Sequence, residues 1–184
     1  MSRPQRIGMV AAADATPEQV AVLDKLRRPD GTVLNIFATL ANHPDLTRRW
    51  LVFGNHVLAK STLSPRVREL AILRVDWLCG SDYEWGQHVL ISRELDITDA
   101  EIDRLKLASI DSDWVSAEAC VIRAADELHA HHEISDPTWE ALSEHYDVQQ
   151  RMDIVFLVGQ YTLVSMALNT FGVPRDRGVP GFDD

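Results

Sequence analysis

Ser81, Glu84 and His88 stand at i, i+3 and i+7. At about 100° per residue such a spacing puts all three on one face of a helix. A carboxylate and an imidazole one turn apart suffice for general acid–base work near neutral pH. Glu84 would lie in the first turn, where the helix dipole favours negative charge. The same residues have a plainer reading. Ser81-x-x-Glu84 is a capping-box pattern, in which Glu84 only satisfies a backbone N–H. The pattern alone favours the cap.

The preceding stretch, Ser64 to Cys79, is apolar on nearly every side through Leu70, Ala71, Ile72, Leu73, Val75, Trp77 and Leu78, yet carries Glu69, Arg74 and Asp76. A helix of this kind is expected to be buried. Buried charges cost several kcal/mol unless paired. The three are therefore structural ion pairs or members of a site, and composition alone favours the pairs.

The run Arg68-Glu-Leu-Ala-Ile-Leu-Arg74, a break, then Tyr83-Glu84-Trp85-x-x-His88 resembles the core motif of the carboxymuconolactone decarboxylase / alkylhydroperoxidase D superfamily. The segment Leu34-Asn-Ile-Phe-Ala-Thr-Leu-Ala-Asn-His-Pro-Asp-Leu46 is similar to what precedes that motif, so the resemblance spans roughly residues 33–92. It implies an all-α, AhpD-like helical bundle. In alkylhydroperoxidase D relatives the core reads Glu, eleven residues, Cys-x-x-Cys, three residues, His, with Glu and His relaying protons to the cysteines. Here the glutamate falls on Glu69 and the histidine on His88, but the cysteine positions hold Ser81 and Glu84. Cys79 and Cys120 do not restore the spacing. A disulfide cycle needs a resolving partner, so the chain fits the branch without the cysteine pair.

The resemblance thus implies a lyase or isomerase acting by proton transfer on a small carboxylated or lactone substrate. His88 would be general acid or base, Glu84 its partner and Glu69 a buried orienter, with Ser81 and Tyr83 as hydrogen-bond donors. A thiol peroxidase and a non-catalytic ligand-binding oligomer are the alternatives. No cofactor and no metal are expected. His129, His131, His132 and Glu133 read as a surface helix end, where cationic side chains suit the dipole. Tyr161 and Asn169, on the apolar last helix, are candidate polar points in a pocket, though the pattern favours satisfied core residues; Trp77 and Trp85 read as core or interface.

Helices are expected over 17–28, 34–41, 45–59, 65–79, 81–95, 98–107, 114–132, 137–146 and 149–171, from their periodicity and start signals such as Thr16-Pro17, Ser64-Pro65 and the capping box Thr98–Glu101. The 184 residues suit one domain, 1–184, with an arm at 1–16 and an irregular tail at 175–184. A net charge of −10 without a basic cluster argues against nucleic acid. No apolar run reaches the roughly 20 residues of a membrane span. Two cysteines form no disulfide framework, so a cytoplasmic address is expected. The apolar last helix and five tryptophans, with the resemblance, point to a homo-oligomer, a trimer or hexamer.

Overall fold

The computed structural model describes residues 4–108 and 114–183. Residues 1–3 of the expected arm and residue 184 of the expected tail lie outside them. Among the described residues the regular structure is helical throughout: α1 (Pro17–Leu23, continued by a 3-10 turn, Asp24–Leu26), α2 (Asn35–Leu40), α3 (Pro44–Ala59), α4 (Pro65–Leu78), α5 (Asp82–Glu94), α6 (Asp99–Arg104), α7 (Ser116–His131), α8 (Asp136–His145) and α9 (Val148–Phe171).

Helix α4 is the axis of the molecule and packs on α5, α7 and α9. Ser64 caps it by accepting from the Val67 N–H at 3.3 Å, and Pro65 opens its first turn. Leu70, Ala71, Ile72, Leu73 and Val75 are each at most 1 % exposed. Burying each of the larger side chains contributes about 1.5–3 kcal/mol. Two cores flank this helix. One joins Ile72 and Val75 to Val121 of α7, Leu142 of α8 and Leu157 of α9. The other joins Leu70 and Leu73 to Trp85 and Val89 of α5 and Ile102 of α6.

The chain reverses between α4 and α5 at Gly80, whose φ of +60° suits glycine. The Ser81 N–H then donates to the Asp76 carbonyl at 2.9 Å. This tight turn lays α5 against the polar line of α4.

Helix α9 is long and apolar enough, by length and composition, to cross a bilayer. The count of uninterrupted apolar residues misses this, because isolated polar residues are spread along it. Here Ile154, Leu157, Val158, Tyr161, Val164 and Leu168 turn inward as core. The opposite stripe leaves Met152, Phe156, Leu163 and Met166 more than half exposed.

The tail is irregular, as expected, but firmly attached. The Phe182 ring meets Trp77 edge-on and tilts against Trp85. The Phe182 N–H donates to Asp82 at 2.9 Å, and Arg175 pairs with the same aspartate at 3.0 Å.

Candidate active site

Helix α5 supplies one wall of a cavity of about 370 Å³ through Tyr83, Glu84, Gln87, His88 and Ile91. Helix α3 brings Trp50, Asn55 and Leu58, α9 brings Gln160 and Tyr161, and Arg28 adds a cation to the lining. Gly54 of α3 leaves room there: a Cβ would sit 3.4 Å from the Gln160 amide nitrogen.

His88 is the centre of the polar wall. Its Nδ1 lies 2.5 Å from Glu69 Oε2, and its Nε2 lies 3.5 Å from Glu84 Oε2. All three side chains are buried, and Glu69 is fully so. Arg68 Nε donates to the other oxygen of Glu69 at 3.2 Å. The Tyr161 ring stands edge-on to the imidazole, with centroids 4.9 Å apart. Burial alone would push the imidazole down. The negative charge and hydrogen bond of Glu69, then Glu84, outweigh it and lift His88 to about 10. His88 is therefore an imidazolium at neutral pH, a proton donor already loaded.

Asp76 completes the cluster from the next turns of α4. It is fully buried, and neither carboxyl oxygen has a hydrogen-bond partner. Burial raises its affinity for a proton. His88 opposes this, and Glu84 and Glu69 add to it. Ser165 favours the charged form slightly, without the geometry of a bond. On balance these effects favour its neutral form.

The expected site residues divide. Glu84 and His88 meet on the cavity wall, and Glu69 backs His88 without reaching the cavity. The capping reading of Glu84 does not hold. The Ser81 side chain makes no cap hydrogen bond, and the Ser81 N–H goes to Asp76 instead. Ser81 itself does not join the expected constellation. It precedes the first helical residue, so its backbone leaves the helical stripe. It is fully buried, off the cavity wall, and its hydroxyl has no hydrogen-bond partner. Tyr83 lines the cavity, but its hydroxyl is committed. It donates to Asp176 Oδ2 at 2.5 Å and accepts from the Ile36 N–H at 3.2 Å.

Of the other charges on α4, Arg74 is structural. It pairs with Asp126 at 2.5 Å and donates to the Leu105 and Leu107 carbonyls. Asn169 is satisfied as expected, donating to the Cys79 carbonyl at 2.9 Å. Tyr161 is not merely core, since it faces His88. Its place on α9, opposite α5, was visible only as a polar point on an apolar helix. Both cysteines are free. Cys79 is half-buried, 3.6 Å from His129 Nδ1, and burial holds its thiol above the usual range. Neither cysteine borders the cavity. Among the described residues no three His, Cys, Asp or Glu side chains are grouped to hold a metal ion.

Residues 44–127 match the carboxymuconolactone decarboxylase family. No protein of curated function matches the chain. Among solved structures, an uncharacterized peroxidase-related protein with an alkylhydroperoxidase AhpD core, from Ralstonia eutropha JMP134, superposes with a TM-score of 0.81. It is 21 % identical over 95 % of this chain and 94 % of its own. An uncharacterized peroxidase-related protein from Silicibacter sp. TM1040 gives 0.81 at 16 % identity, over 96 % and 94 %. A cysteine-to-alanine variant of the debrominase Bmp8, in complex with 2,3,4-tribromopyrrole, gives 0.77 at 13 % identity, over 96 % and 95 %. At such identities the likeness is one of fold. The family match runs from the start of α3 into α7, and the whole chain shares the AhpD-like helical fold of these structures.

Proposed function

We propose that this protein is a carboxymuconolactone decarboxylase-like lyase or isomerase, which moves a proton on a small lactone or carboxylated carbonyl compound. The observation that carries this reading is the buried His88 ring, held between Glu69 and Glu84 at the cavity wall. In a decarboxylation, loss of carbon dioxide from a carboxylate β to a carbonyl leaves an enolate. His88 protonates the enolate carbon from Nε2, and solvent returns the proton through Glu84. In an isomerisation, Glu84 removes a proton from the carbon next to the carbonyl, and His88 donates to the oxygen. Either step gains from a fixed positive charge where negative charge develops. Glu69 keeps the ring oriented, and Arg28 offers a counter-charge to a substrate carboxylate.

A thiol cycle finds little support. The cavity offers no sulfur, and burial keeps both thiols protonated. A panel of lactone acids, keto acids and hydroperoxides separates the two readings. Turnover of a lactone or keto acid by wild type and by the Cys79→Ser, Cys120→Ser double variant alike is expected. Turnover of hydroperoxides alone, dependent on a thiol reductant and lost in the double variant, would overturn it.

This reading includes a homo-oligomer, a trimer or hexamer, assembled through the exposed apolar stripe of α9, and action in the cytoplasm, where two unpaired cysteines stay reduced. A sedimentation profile holding only a species of about 20.7 kDa would contradict the assembly.

A further inference from the structure

A second chamber, of about 220 Å³, adjoins the active-site cavity. Ile36, Trp50 and Val164 border both. Its wall is apolar, with one polar side chain, Thr47, whose hydroxyl is spent on the Leu40 and His43 carbonyls at 2.6 and 3.0 Å. An apolar cavity of about 150 Å³ already admits benzene. The chamber therefore has room for a short alkyl chain or one aromatic ring, and nothing in it calls for a polar group. The active-site cavity is graded the same way. Glu84, Gln87, His88 and Gln160 mark its polar end, while Ile36, Phe37, Trp50 and Val164 lead toward the chamber.

We infer that the ligand is amphiphilic: its carbonyl-bearing head sits at His88 and Glu84, and an alkyl or aryl tail runs past Trp50 into this chamber. The placement of the head rests on the function proposed above; the placement of the tail rests on the shared wall. A second copy of the chain is the rival occupant. The exposed stripe of α9 meets the chamber only at its rim, through Leu163, which is 53 % exposed, whereas Ile36 and Val164 inside are each 6 % exposed. A copy seated on that stripe would roof the chamber and leave its interior, which shares three wall residues with the active site, to the ligand.

The test uses γ-lactones whose side chain lengthens from methyl to hexyl, with calorimetry on the full chain. Burying one methylene is worth about a fourfold gain in affinity. Kd is expected to fall by about that factor per methylene until the chamber is full. Ala167→Phe should fill the chamber and abolish the gain while leaving the methyl lactone unaffected. Should that variant misfold, Leu46→Gln, at a rim position 55 % exposed, should reduce the gain per methylene without disturbing the core. A Kd independent of chain length, or a gain undiminished in the folded variants, would overturn the inference. His88→Gln and Glu84→Gln should weaken every lactone by the same factor. If the chain-length gain is present but those two variants leave every Kd unchanged, the chamber stands and the proposed head site falls.

Discussion

Glu69 and His88, nineteen residues apart on adjacent helices, meet at 2.5 Å between a fully buried carboxylate and a buried imidazole nitrogen. The contact fixes which nitrogen is free. With Nδ1 committed to Glu69, only Nε2 remains to face Glu84 and the cavity. It also fixes the charge, because a buried carboxylate without a cation would cost several kcal/mol.

The first prediction concerns turnover. Losing a general acid or base costs about 10²-fold or more. Glu84→Gln keeps the shape of the side chain, and Glu84 has no capping duty to lose. Turnover should fall on that scale with little change in melting temperature. His88→Gln should fall as far. His88→Ala is a poorer probe, since stripping Glu69 of its partner costs about 3–5 kcal/mol of stability. Near-wild-type turnover in folded Glu84→Gln and His88→Gln proteins would place the chemistry elsewhere.

The second concerns pH. An unfolded histidine releases its proton near pH 6.5, while folded His88 keeps it to about 10. Between these values the folded state binds more protons, so stability falls as pH rises. The stabilisation from His88 should be complete below about pH 6.5 and gone above about pH 10. The stability difference between wild type and His88→Gln should shrink across that window in urea titrations. Nitrogen chemical shifts should show an imidazolium at pH 8. A neutral ring at that pH would refute the assignment.

The third concerns the tail. A Cβ on Gly86 would lie 2.0 Å from the Pro180 carbonyl oxygen and 2.6 Å from a Val179 methyl. Backbone cannot yield as a flexible side chain does. Gly86→Ala should gain up to about 1 kcal/mol of helix propensity and lose about 1–3 kcal/mol to overpacking. The tail should detach from α5, exposing Trp77 and Trp85 and opening a protease-sensitive site beyond Pro174. A variant as stable and as resistant as wild type would show that the tail is loosely held.

Much of this was legible in the sequence where the signal is local. Thr98 and Glu101 form their capping box, Ser64 caps α4, and all-round apolarity marked α4 as buried. The Glu69–His88 pair came from the family resemblance, since nothing in either helix announces the other. Local patterns also misled. Ser81-x-x-Glu84 has the letters of a capping box, but the turn at Gly80 gives the Ser81 N–H to Asp76, and His88 competes for Glu84. Asp147 and Gln150 do form such a box, at the start of α9, one residue before the apolar periodicity begins. The tail was unreadable because its anchors are remote. Asp176 takes hydrogen bonds from Asn35, Tyr83 and Gln87, partners 89 to 141 residues away, and no short-range pattern encodes them.

The fourth prediction concerns Asp76, which the sequence marks only as a charge on a buried helix. Two states are open to a buried aspartate. Ionised, it needs donors, and both of its oxygens lack them. Neutral, it needs none so urgently. Its folded proton affinity is raised well above the ordinary value of 3.8, by burial and by Glu84 and Glu69 against the pull of His88. An unfolded aspartate loses its proton above pH 3.8. The folded one keeps it, so Asp76 contributes fully at acid pH and progressively less as pH rises toward its folded value. Asparagine has nearly the same shape and no proton to lose. Asp76→Asn should therefore be close to wild type in stability near pH 4 and gain on it steadily toward pH 8, read from urea midpoints. An ionised, paired aspartate would give the opposite trend, with the variant losing ground as pH rises. That result would mean that the cluster around His88 carries a third negative charge.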